Sequence, residues 1–524
     1  MGIFSEEVAN KMRKVHIDPT EAGRLLMDIR CGKYAHVKPM EAKNIPTIDG
    51  KRVVNLVLGF KISFKEARRN IENLGFDISL KRFASVEGES LVFDYHQLKR
   101  LGAEMIPYLG YGFLNGGSAS SYLDPHKNSS EYGELFDLYR PYFDKMAPYK
   151  TQPKGITPAY INPNGSLGFH FMALKLRAIL IEDLKYMIWK DIPRGEGKGL
   201  ISLFQMDSIL NHATIATAVE DYAKSEWIRP LAEYVGVDVA KIATASQKLS
   251  PTFTNKSHQE MEVFFKENGE LLPMPGGHGQ VYQVLKTILH DLRKQGKKFV
   301  YISNIDNLGA LVAKATVAYM ALTGKQGAFD FSFKTESDVK GGIAVEVDDK
   351  GLIDCGDLGS AISKETLREI EKNNLECPAE QKREILFNNA TGLFNLDWLD
   401  ENIDRIIESL PLRISVQKKV MGTYKQVEQV MWEVLGLMDN KSIIAVNKYE
   451  RFLAAKMFVE TLMNSRIQVE SPKYPENLRE LALKMNEGLS TLLGGRYGLK
   501  LQDGAWIPKS LDELINEVRG SFGR

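Results

Sequence analysis

Cysteine is scarce in this sequence, and net charge is almost absent. Only three of the 524 residues are cysteines, Cys31, Cys355 and Cys377, and they are widely spaced and outside any CxxC pattern. Such spacing argues against both a disulfide framework and a zinc site, and it fits a reducing compartment. The formal net charge of +1 provides no global field that would attract nucleic acid or an anionic membrane. An anionic ligand must therefore be held by local groups.

Long hydrophobic segments are also missing. Nowhere do about 18 uninterrupted apolar residues occur. The first residues, with Glu6, Glu7 and Lys11 close together, contain no apolar segment typical of a signal peptide. We therefore expect a soluble protein that acts in the cytoplasm, with neither a membrane nor nucleic acid as a partner. The sequence predicts no oligomeric state.

Several common catalytic patterns are absent as well. The sequence shows neither a P-loop nor a GxGxxG motif, and no nucleophilic triad or metal–thiolate pattern. A chain of 524 residues exceeds what one core usually organises, so we expect a large domain with smaller flanking modules. The patterns predict a helical N-terminal module over residues 1–104, alternating β and α elements over 105–459, and a helical C-terminal module over 460–524.

One segment shows how the central part is expected to fold. Apolar residues recur at helical spacing over 281–292, Gly296 ends that helix, and residues 299–303 form a buried strand. Asn304 and Asp306 follow this strand directly. Because ligands of an open parallel sheet bind beyond the carboxyl ends of its strands, these two polar residues fall where a substrate is expected.

Short segments elsewhere contain residue types suited to binding phosphate groups. The loop after Leu114 consists of glycine and small hydroxyl residues, so its backbone N–H groups can approach a phosphate or a base edge. Lys154 follows a proline, and His278 lies in a glycine-rich loop before a helix. Asp306 can hold Mg²⁺ together with phosphate oxygens. Taken singly, each segment is also compatible with an ordinary turn.

The combination of these segments is more specific than any one of them. Lysines, one candidate metal carboxylate and glycine loops are what phosphoryl or nucleotidyl transfer requires, because that chemistry depends mainly on positioning and on neutralising charge. The residue types alone predict this class of reaction and nothing narrower.

The order of the motifs adds a family resemblance. Residues 303–310, Ser-Asn-Ile-Asp-Asn-Leu-Gly-Ala, provide its most specific part. The other matching segments are 114–117, 153–154, 203–208 with His212, 277–279, 334–342, 387–389 and 451–456. Over roughly residues 114–456 the chain thus resembles the UTP–glucose-1-phosphate uridylyltransferase family, in which the counterpart of residues 277–279 lies against the uridine.

The resemblance implies a fold, a reaction and a set of residues. The fold is a three-layer α/β, Rossmann-like nucleotide-diphospho-sugar transferase domain with a mixed central sheet. The reaction forms a UDP-sugar and pyrophosphate from UTP and a sugar 1-phosphate, with glucose 1-phosphate as the first candidate and Mg²⁺ as cofactor. The implied catalytic residues are Lys154, Lys456 and Asp306, and Asp306 is also the implied metal ligand. The implied nucleotide-binding residues are Leu114, Gly116, Gly117, Met206, Gly277 and His278. The implied sugar- or phosphate-binding residues are Asn304, Lys334, Gly342, Glu346 and Asn389.

The sequence departs from the family pattern in several places. Residues 118–120, Ser-Ala-Ser, stand where the family usually continues its two glycines with Leu-Gly-Thr. About thirty residues separate this loop from Lys154, where the family has only a few, so Lys127 competes for the same role. The downstream spacing favours Lys154. Asn255 stands where the family tends to place a base-reading glutamine, and a short helical tail replaces the family's C-terminal β-helix.

Two other functions remain open from the sequence. Pro153-Lys154-Gly155 also resembles a segment of the UDP-N-acetylhexosamine pyrophosphorylases. The altered loop at 118–120 is also compatible with a non-catalytic UDP-sugar-binding protein of the same fold.

Overall fold

The computed structural model describes residues 3–34, 44–335, 338, 341–347, 351–355, 369, 372, 385–419 and 422–522. Its α-helices are α1 (Glu6–Lys14), α2 (Pro19–Arg30), α3 (Phe64–Asn73), α4 (Tyr95–Glu104), α5 (Pro125–Met146), α6 (Phe171–Trp189), α7 (His212–Lys224), α8 (Arg229–Val235), α9 (Val281–Lys294), α10 (Lys314–Thr323), α11 (Leu396–Ser409), α12 (Lys448–Arg451), α13 (Phe458–Asn464), α14 (Glu476–Gly495) and α15 (Leu511–Ser521).

The strands divide between one large sheet and several small ones. They are β1 (Val53–Val54), β2 (Phe60–Ser63), β3 (Ser85–Glu87), β4 (Ser90–Phe93), β5 (Leu109–Leu114), β6 (Ser202–Ser208), β7 (Ala243–Gln247), β8 (Leu249–Pro251), β9 (Phe253–Thr254), β10 (Pro273–Pro275), β11 (Phe299–Asn304), β12 (Gly327–Phe333), β13 (Ile343–Val347), β14 (Gly351–Cys355), β15 (Leu386–Asn395), β16 (Leu412–Lys419), β17 (Gly422–Gln429), β18 (Lys441–Val446), β19 (Leu499–Gln502) and β20 (Ala505–Pro508).

The large sheet is mixed. Its strand order is β1-β18-β12-β15-β11-β5-β6-β7, and β13 pairs with β14 and β15 beside this path. Strand β15 runs antiparallel to both β12 and β11, whereas the other neighbours along the path are parallel. The mixed central sheet that the resemblance implied is therefore confirmed.

Helices cover both faces of this sheet. One face packs against α4, α6 and α10 through a core that includes Tyr111 and Tyr301, and the other packs against α9 and α11 through a core that includes Val300 and Ile302. Strand β5 is buried along its whole length, as expected for a strand covered on both sides. This arrangement confirms the three-layer α/β fold.

Residues 281–304 fold as predicted. Helix α9 is followed by Gly296, whose φ of +84° lies in the left-handed region that favours glycine, and then by the buried strand β11. Strand β11 ends at Asn304, so Asp306 lies just beyond the carboxyl end of a strand that pairs in parallel with β5.

The N-terminal segment contains more strand than the predicted helical module allows. Helix α2 begins as expected, because the Asp18 carboxylate accepts hydrogen bonds from the N–H groups of Thr20 and Glu21. However, β2, β4 and β3 form a small antiparallel sheet, and β1 joins the large sheet beside β18. Part of this difference has a local cause, because Gly88, with a φ of +59°, turns the chain between β3 and β4.

The C-terminal segment is helical apart from one hairpin. Helix α14 starts after Pro475, and α15 has the predicted capping box between Ser510 and Glu513. Strands β19 and β20 pair between these helices. One apolar core contains residues from all three predicted units, for example Leu98, Leu180 and Leu493, so the boundaries at 104 and 459 stay predictions. Within the described residues, no helix is long and apolar enough to span a bilayer.

Candidate functional site

The candidate site forms where three parallel strands end side by side. Leu114, the last residue of β5, pairs with Met206 of β6 on one side and with Asn304 of β11 on the other. The three positions were predicted from separate motifs, and the sheet register brings them to one edge. Asp306 lies two residues beyond this edge.

The glycine loop after β5 folds back over the segment that contains Lys154. The N–H of Asn115 donates to the carbonyl of Met206 at 2.8 Å, which holds the start of the loop against β6. The N–H of Lys154 donates to the carbonyl of Gly117 at 2.9 Å, and Ser118 forms a bridge with Pro153. The thirty intervening residues therefore loop out and return, so the unusual spacing in the sequence does not separate the two motifs.

Lys154 and Asp306 form an ion pair at this edge. The Nζ atom of Lys154 is 2.6 Å from Oδ2 of Asp306, and their side chains are 12% and 16% exposed. The same ammonium group donates to the carbonyl of Ala455 and lies 4.7 Å from the ring centroid of Tyr122. Lys127, the competing lysine, contacts the hydroxyl of Ser121 instead. The structure thus places Lys154, and not Lys127, beside the aspartate.

A dense set of hydrogen bonds holds the Asp306 loop against the segment before Lys456. The Asn307 side chain accepts hydrogen bonds from the N–H groups of Gly309 and Leu453, at 3.0 and 3.1 Å, and donates to the carbonyl of Arg451 at 3.0 Å. A Cβ atom added to Gly309 would lie 2.7 Å from the Cα of Arg451, so the two segments are in close backbone contact. The two segments in contact are more than 140 residues apart in the sequence.

Lys456 follows this contact directly. Its backbone N–H donates to the Glu460 carboxylate at 2.6 Å, and that buried carboxylate also accepts a hydrogen bond from the Tyr132 hydroxyl at 3.1 Å. The Lys456 ammonium group lies 5.8 Å from the ring centroid of Phe387. Since Lys154 bonds the carbonyl of Ala455, the residue before Lys456, all three predicted catalytic residues belong to one region of the molecule.

The Gly277–His278 segment lies across Gln247 from the glycine loop that contains Gly116. Gly277 has a φ of +83°, and a Cβ atom there would lie 2.7 Å from the backbone nitrogen of Gln429, so only glycine fits. The Nδ1 atom of His278 accepts a hydrogen bond from the N–H of Met431 at 3.0 Å. Burial, assisted by the positive charges of Lys456 and Arg413, lowers the pKa of His278 to about 4. The imidazole is therefore neutral near pH 7, with its proton on Nε2.

Gln247 connects the two glycine loops, and the sequence interpretation missed it. Its Nε2 atom donates to the carbonyl of Gly277 at 2.6 Å, and its Oε1 atom lies 3.2 Å from the position of a Cβ added to Gly116. Asn255, which stands where the family tends to place a base-reading glutamine, is exposed. Gln247 ends β7, where it pairs with Ser208, and this pairing is visible only in the fold.

Asp207 is a second residue that the sequence interpretation did not select. Its side chain is fully buried at the end of β6, and its Oδ2 atom lies 2.7 Å from Nδ1 of His212. Among the described residues, no hydrogen-bond partner reaches its Oδ1 atom. Asn211, next to the histidine, donates to the carbonyl of Gly116 at 3.0 Å. The residue that immediately precedes α7 is thus bonded to the glycine loop.

A buried lysine forms hydrogen bonds with the backbone of the Asp306 loop. Lys175 of α6 donates to the carbonyls of Asn307, at 2.5 Å, and Ala310. Burial lowers its pKa well below the usual range. A lysine amid the apolar residues of α6 was a visible signal in the sequence, but only the fold shows which loop it holds.

The predicted sugar-side residues divide into two groups. The backbone carbonyl of Asn389 accepts a hydrogen bond from the Asn307 side chain at 3.1 Å, which places it beside the Asp306 loop. The carbonyl of Gly342 accepts from the N–H of Asn388 at 2.9 Å, next to Asn389 on β15, and Lys334 follows directly after β12.

Glu346 lies apart from these residues. It is four residues beyond Gly342, or roughly 13 Å along β13 at the usual rise of about 3.3 Å per residue. Its carboxylate pairs with the Arg52 guanidinium at 2.7 Å. The carboxylate of Glu346 is therefore engaged by Arg52, and its sugar-side role stays a prediction.

Known proteins resemble this chain in sequence and in fold. The sequence model of the family described as UTP–glucose-1-phosphate uridylyltransferase matches residues 222–492. The chain belongs to this family. A probable UTP–glucose-1-phosphate uridylyltransferase of Schizosaccharomyces pombe is 40% identical over 76 residues, which are 14% of this chain and 15% of the relative. The match thus spans well under two thirds of that relative's length.

Two solved structures share the fold of this uridylyltransferase family member. The UDP-N-acetylglucosamine pyrophosphorylase from Trypanosoma brucei gives a TM-score of 0.59 at 14% identity, covering 98% of this chain and 91% of that one. The UDP-glucose pyrophosphorylase from Leishmania major gives 0.52 at 16% identity, covering 87% and 77%. At these identities the likeness concerns the fold alone.

Proposed function

We propose that this member of the uridylyltransferase family joins UTP and a sugar 1-phosphate to form a UDP-sugar and pyrophosphate, with glucose 1-phosphate as the first candidate substrate. Family membership supports the reaction class. The ion pair of Lys154 and Asp306, beside a glycine loop and next to Lys456, is the observation that supports the chemistry most directly. Neutralised phosphate charge is what such a transfer needs from the protein.

The reaction is an in-line displacement at phosphorus. A phosphate oxygen of the sugar 1-phosphate forms a bond to the α-phosphorus of UTP, while the bond from that phosphorus to the bridging oxygen of the β-phosphate breaks. Pyrophosphate leaves with this oxygen. In the proposed roles, Lys154 binds the triphosphate, and Lys456 offsets negative charge between the two substrates.

The proposed base pocket explains the glycines on both walls. Gly116 and Gly117 lie on one side of the slot and Gly277 lies on the other, while the Gln247 side chain lies next to Gly116 and donates a hydrogen bond to the carbonyl of Gly277. His278 is neutral and its Nδ1 already accepts a backbone hydrogen bond, so its Nε2–H remains to donate to a uracil carbonyl or a phosphate oxygen. We include Leu114 and Met206 in this pocket, and Asn304, Lys334, Gly342 and Asn389 on the sugar side.

The donor set at Asp306 fits Mg²⁺, provided that phosphate oxygens complete the coordination. No group of three or more metal-binding side chains occurs in the described part of the chain, so the protein alone does not form a closed cation site. Mg²⁺ commonly needs only one or two protein carboxylates beside phosphates and water. When bound, the ion would supply charge for the phosphate oxygens, and Asp306 is the residue that would hold it. Cytoplasmic action with Mg²⁺ is part of this proposal.

The metal assignment has its own test. Replacing Asp306 by Asn removes the carboxylate charge but keeps the side-chain size, so activity should fall and its dependence on Mg²⁺ concentration should shift to higher values. Rates measured across an Mg²⁺ titration check this. Superimposable titration curves for Asp306→Asn and the wild type would contradict the assignment.

The proposed function is tested by pyrophosphate release. Purified protein is assayed with UTP and other nucleoside triphosphates, each combined with glucose 1-phosphate, N-acetylglucosamine 1-phosphate and other sugar 1-phosphates. We expect turnover with UTP and with one sugar well above the rest. Turnover with N-acetylglucosamine 1-phosphate alone would change the substrate. Binding of UDP-glucose without any pyrophosphate release or exchange would indicate a non-catalytic binding protein.

A further inference from the structure

A second cleft lies between helices α4, α6, α10 and α14, apart from the three proposed catalytic residues. Its volume is about 640 Å³, enough for a small metabolite, and neither Lys154, Asp306 nor Lys456 lines it. The floor is formed by side chains of α6, by the start of α10 and by the end of α14. The nucleotide-binding motifs account for none of these residues.

Three cations share a single carboxylate at the floor of this cleft. Glu182 is buried, and its oxygens lie 2.7 Å from Nζ of Lys314, 3.2 Å from Nζ of Lys185 and 3.6 Å from Nε of Arg496. The side chains of the three cations remain 25%, 28% and 32% exposed, in the same order. Each ammonium group can donate three hydrogen bonds, and its contact with Glu182 uses one.

The floor therefore carries two positive charges more than negative ones. Lys185 shows the effect of this excess. The charge of Glu182 raises its pKa, but burial and the charges of Arg496 and Lys314 together outweigh that effect, and the pKa is lowered. A dianion placed beside the three cations would balance the charge. Helix α10 also begins here without any side-chain cap, and a helix N-terminus favours negative charge.

The rim of the cleft restricts the size of a suitable anion. Glu450 and Glu487 line it together with Lys99, and Lys484 is already paired with Glu480 at 2.6 Å. The positive excess is thus confined to the floor. A compact dianion fits this pattern, whereas a long polyanion would meet the rim carboxylates.

We propose that the cleft floor, formed by Lys185, Lys314 and Arg496, is a binding site for a phosphate dianion, either free phosphate or the phosphate group of a small phosphorylated metabolite. The site stands independently of the proposed reaction. Two arginine side chains connect it to the segment that follows the Asp306 loop. Arg496 donates to the carbonyl of Val312 at 2.9 Å, and Arg451, which also lines the cleft, donates to the carbonyl of Leu311 at 2.7 Å.

Thermal unfolding in the presence of inorganic phosphate tests this proposal at constant ionic strength. A ligand that binds only the folded state raises the midpoint in a saturable manner. We expect such a rise of a few degrees for the wild type and its loss in Lys314→Gln and Arg496→Gln. Lys190→Gln is the matched control, because Lys190 is 33% exposed and paired with Glu104 outside the cleft. It should keep the response.

Further variants separate the cleft from the catalytic region. Lys154→Met should keep the phosphate response. If instead Lys154→Met loses the response and Lys314→Gln keeps it, phosphate binds at Lys154 and the proposal is overturned. If Lys314→Gln fails to fold, Lys314→Arg keeps the charge and should retain the response. A wild type without a saturable shift would also overturn it. Glycerol 3-phosphate, tested in parallel, should bind more tightly than phosphate if the site recognises phosphorylated metabolites, and more weakly if it recognises free phosphate.

Discussion

At the scale of single residues, the proposed chemistry depends most on Lys154. Its ammonium group contacts a carboxylate, a backbone carbonyl and an aromatic face within one small region. A charge held so firmly is already oriented before any substrate arrives, and preorganised charge is the main source of catalysis in reactions of this class.

We expect Lys154→Met to lower kcat for the proposed reaction by a factor on the order of 10², the usual cost of losing a charge partner in the transition state. Steady-state pyrophosphate release measures the change. Lys127→Met is the control, because Lys127 contacts Ser121 rather than Asp306 and should leave kcat nearly unchanged. The reverse result would assign the proposed triphosphate-binding role to Lys127.

His278 gives a prediction about pH and stability. Its pKa of about 4 lies below the unfolded value of about 6.5, so the unfolded chain binds more protons between these two values. The free energy of unfolding should therefore rise as the pH increases from 4 to 6.5 and become level above that, with a contribution of at most about 3 kcal/mol.

Denaturant unfolding at several pH values tests this sign. The variant His278→Gln keeps a side-chain acceptor for the Met431 N–H but cannot titrate, so its stability should fall less between pH 6.5 and 4 than that of the wild type. The exposed His96 is the control, and His96→Gln should follow the wild-type curve. Parallel curves for His278→Gln and the wild type would refute the explanation.

At the scale of elements, the site depends on the contact between the Asp306 loop and the segment before Lys456. Gly309 makes this contact possible, because it has no side chain to separate the two backbones. The Asn307 side chain then joins both segments by three hydrogen bonds. A small displacement at this contact would move Asp306 and Lys456 relative to each other.

Gly309→Ala should therefore reduce both stability and activity. The added methyl group must push against the backbone of Arg451, at a cost of roughly 1–3 kcal/mol in unfolding free energy. Urea unfolding and the pyrophosphate-release assay measure the two effects. Gly495→Ala, at the end of α14, meets nothing within 4 Å and should behave like the wild type. An unaffected Gly309→Ala would show that the two segments can separate without loss.

The elements also show how far the sequence could be interpreted. The helix and strand at 281–304 were predictable because each has its own periodicity, and the position of Asp306 followed from the rule for strand ends. Gln247 was not predictable, since its proximity to Gly116 and Gly277 depends on the pairing of β6 with β7. Likewise, nothing in the sequence of β15 indicates that it lies antiparallel between β11 and β12.

At the scale of the whole molecule, the predicted modules share one hydrophobic core. Residues of α4, α6, α14 and α15 pack in the same cluster, whereas α1 and α2 pack in a separate one with Phe253 and Val427. The flanking segments are thus structural parts of the central fold, with the exception of the first two helices.

We therefore expect different results from the two terminal deletions. Removing residues 476–522 takes away Met485, Leu489 and Leu493 from the main core and should prevent stable folding. Removing residues 3–34 should leave a folded protein with a lower melting temperature. Circular dichroism and tryptophan fluorescence, followed together during heating, distinguish these outcomes. A stable, cooperatively unfolding protein that lacks residues 476–522 would show that the core is divisible.

The pairing of Lys154 with Asp306 has a consequence for how two oppositely charged ligands would affect each other's binding. A cation that reaches the carboxylate must displace an ammonium group, and an anion that reaches the ammonium group must draw it away from a carboxylate. Each arrival removes an obstacle to the other. The ion pair would thus weaken the binding of either ion alone, and both ions would bind more tightly together. This is positive thermodynamic coupling between two oppositely charged ligands.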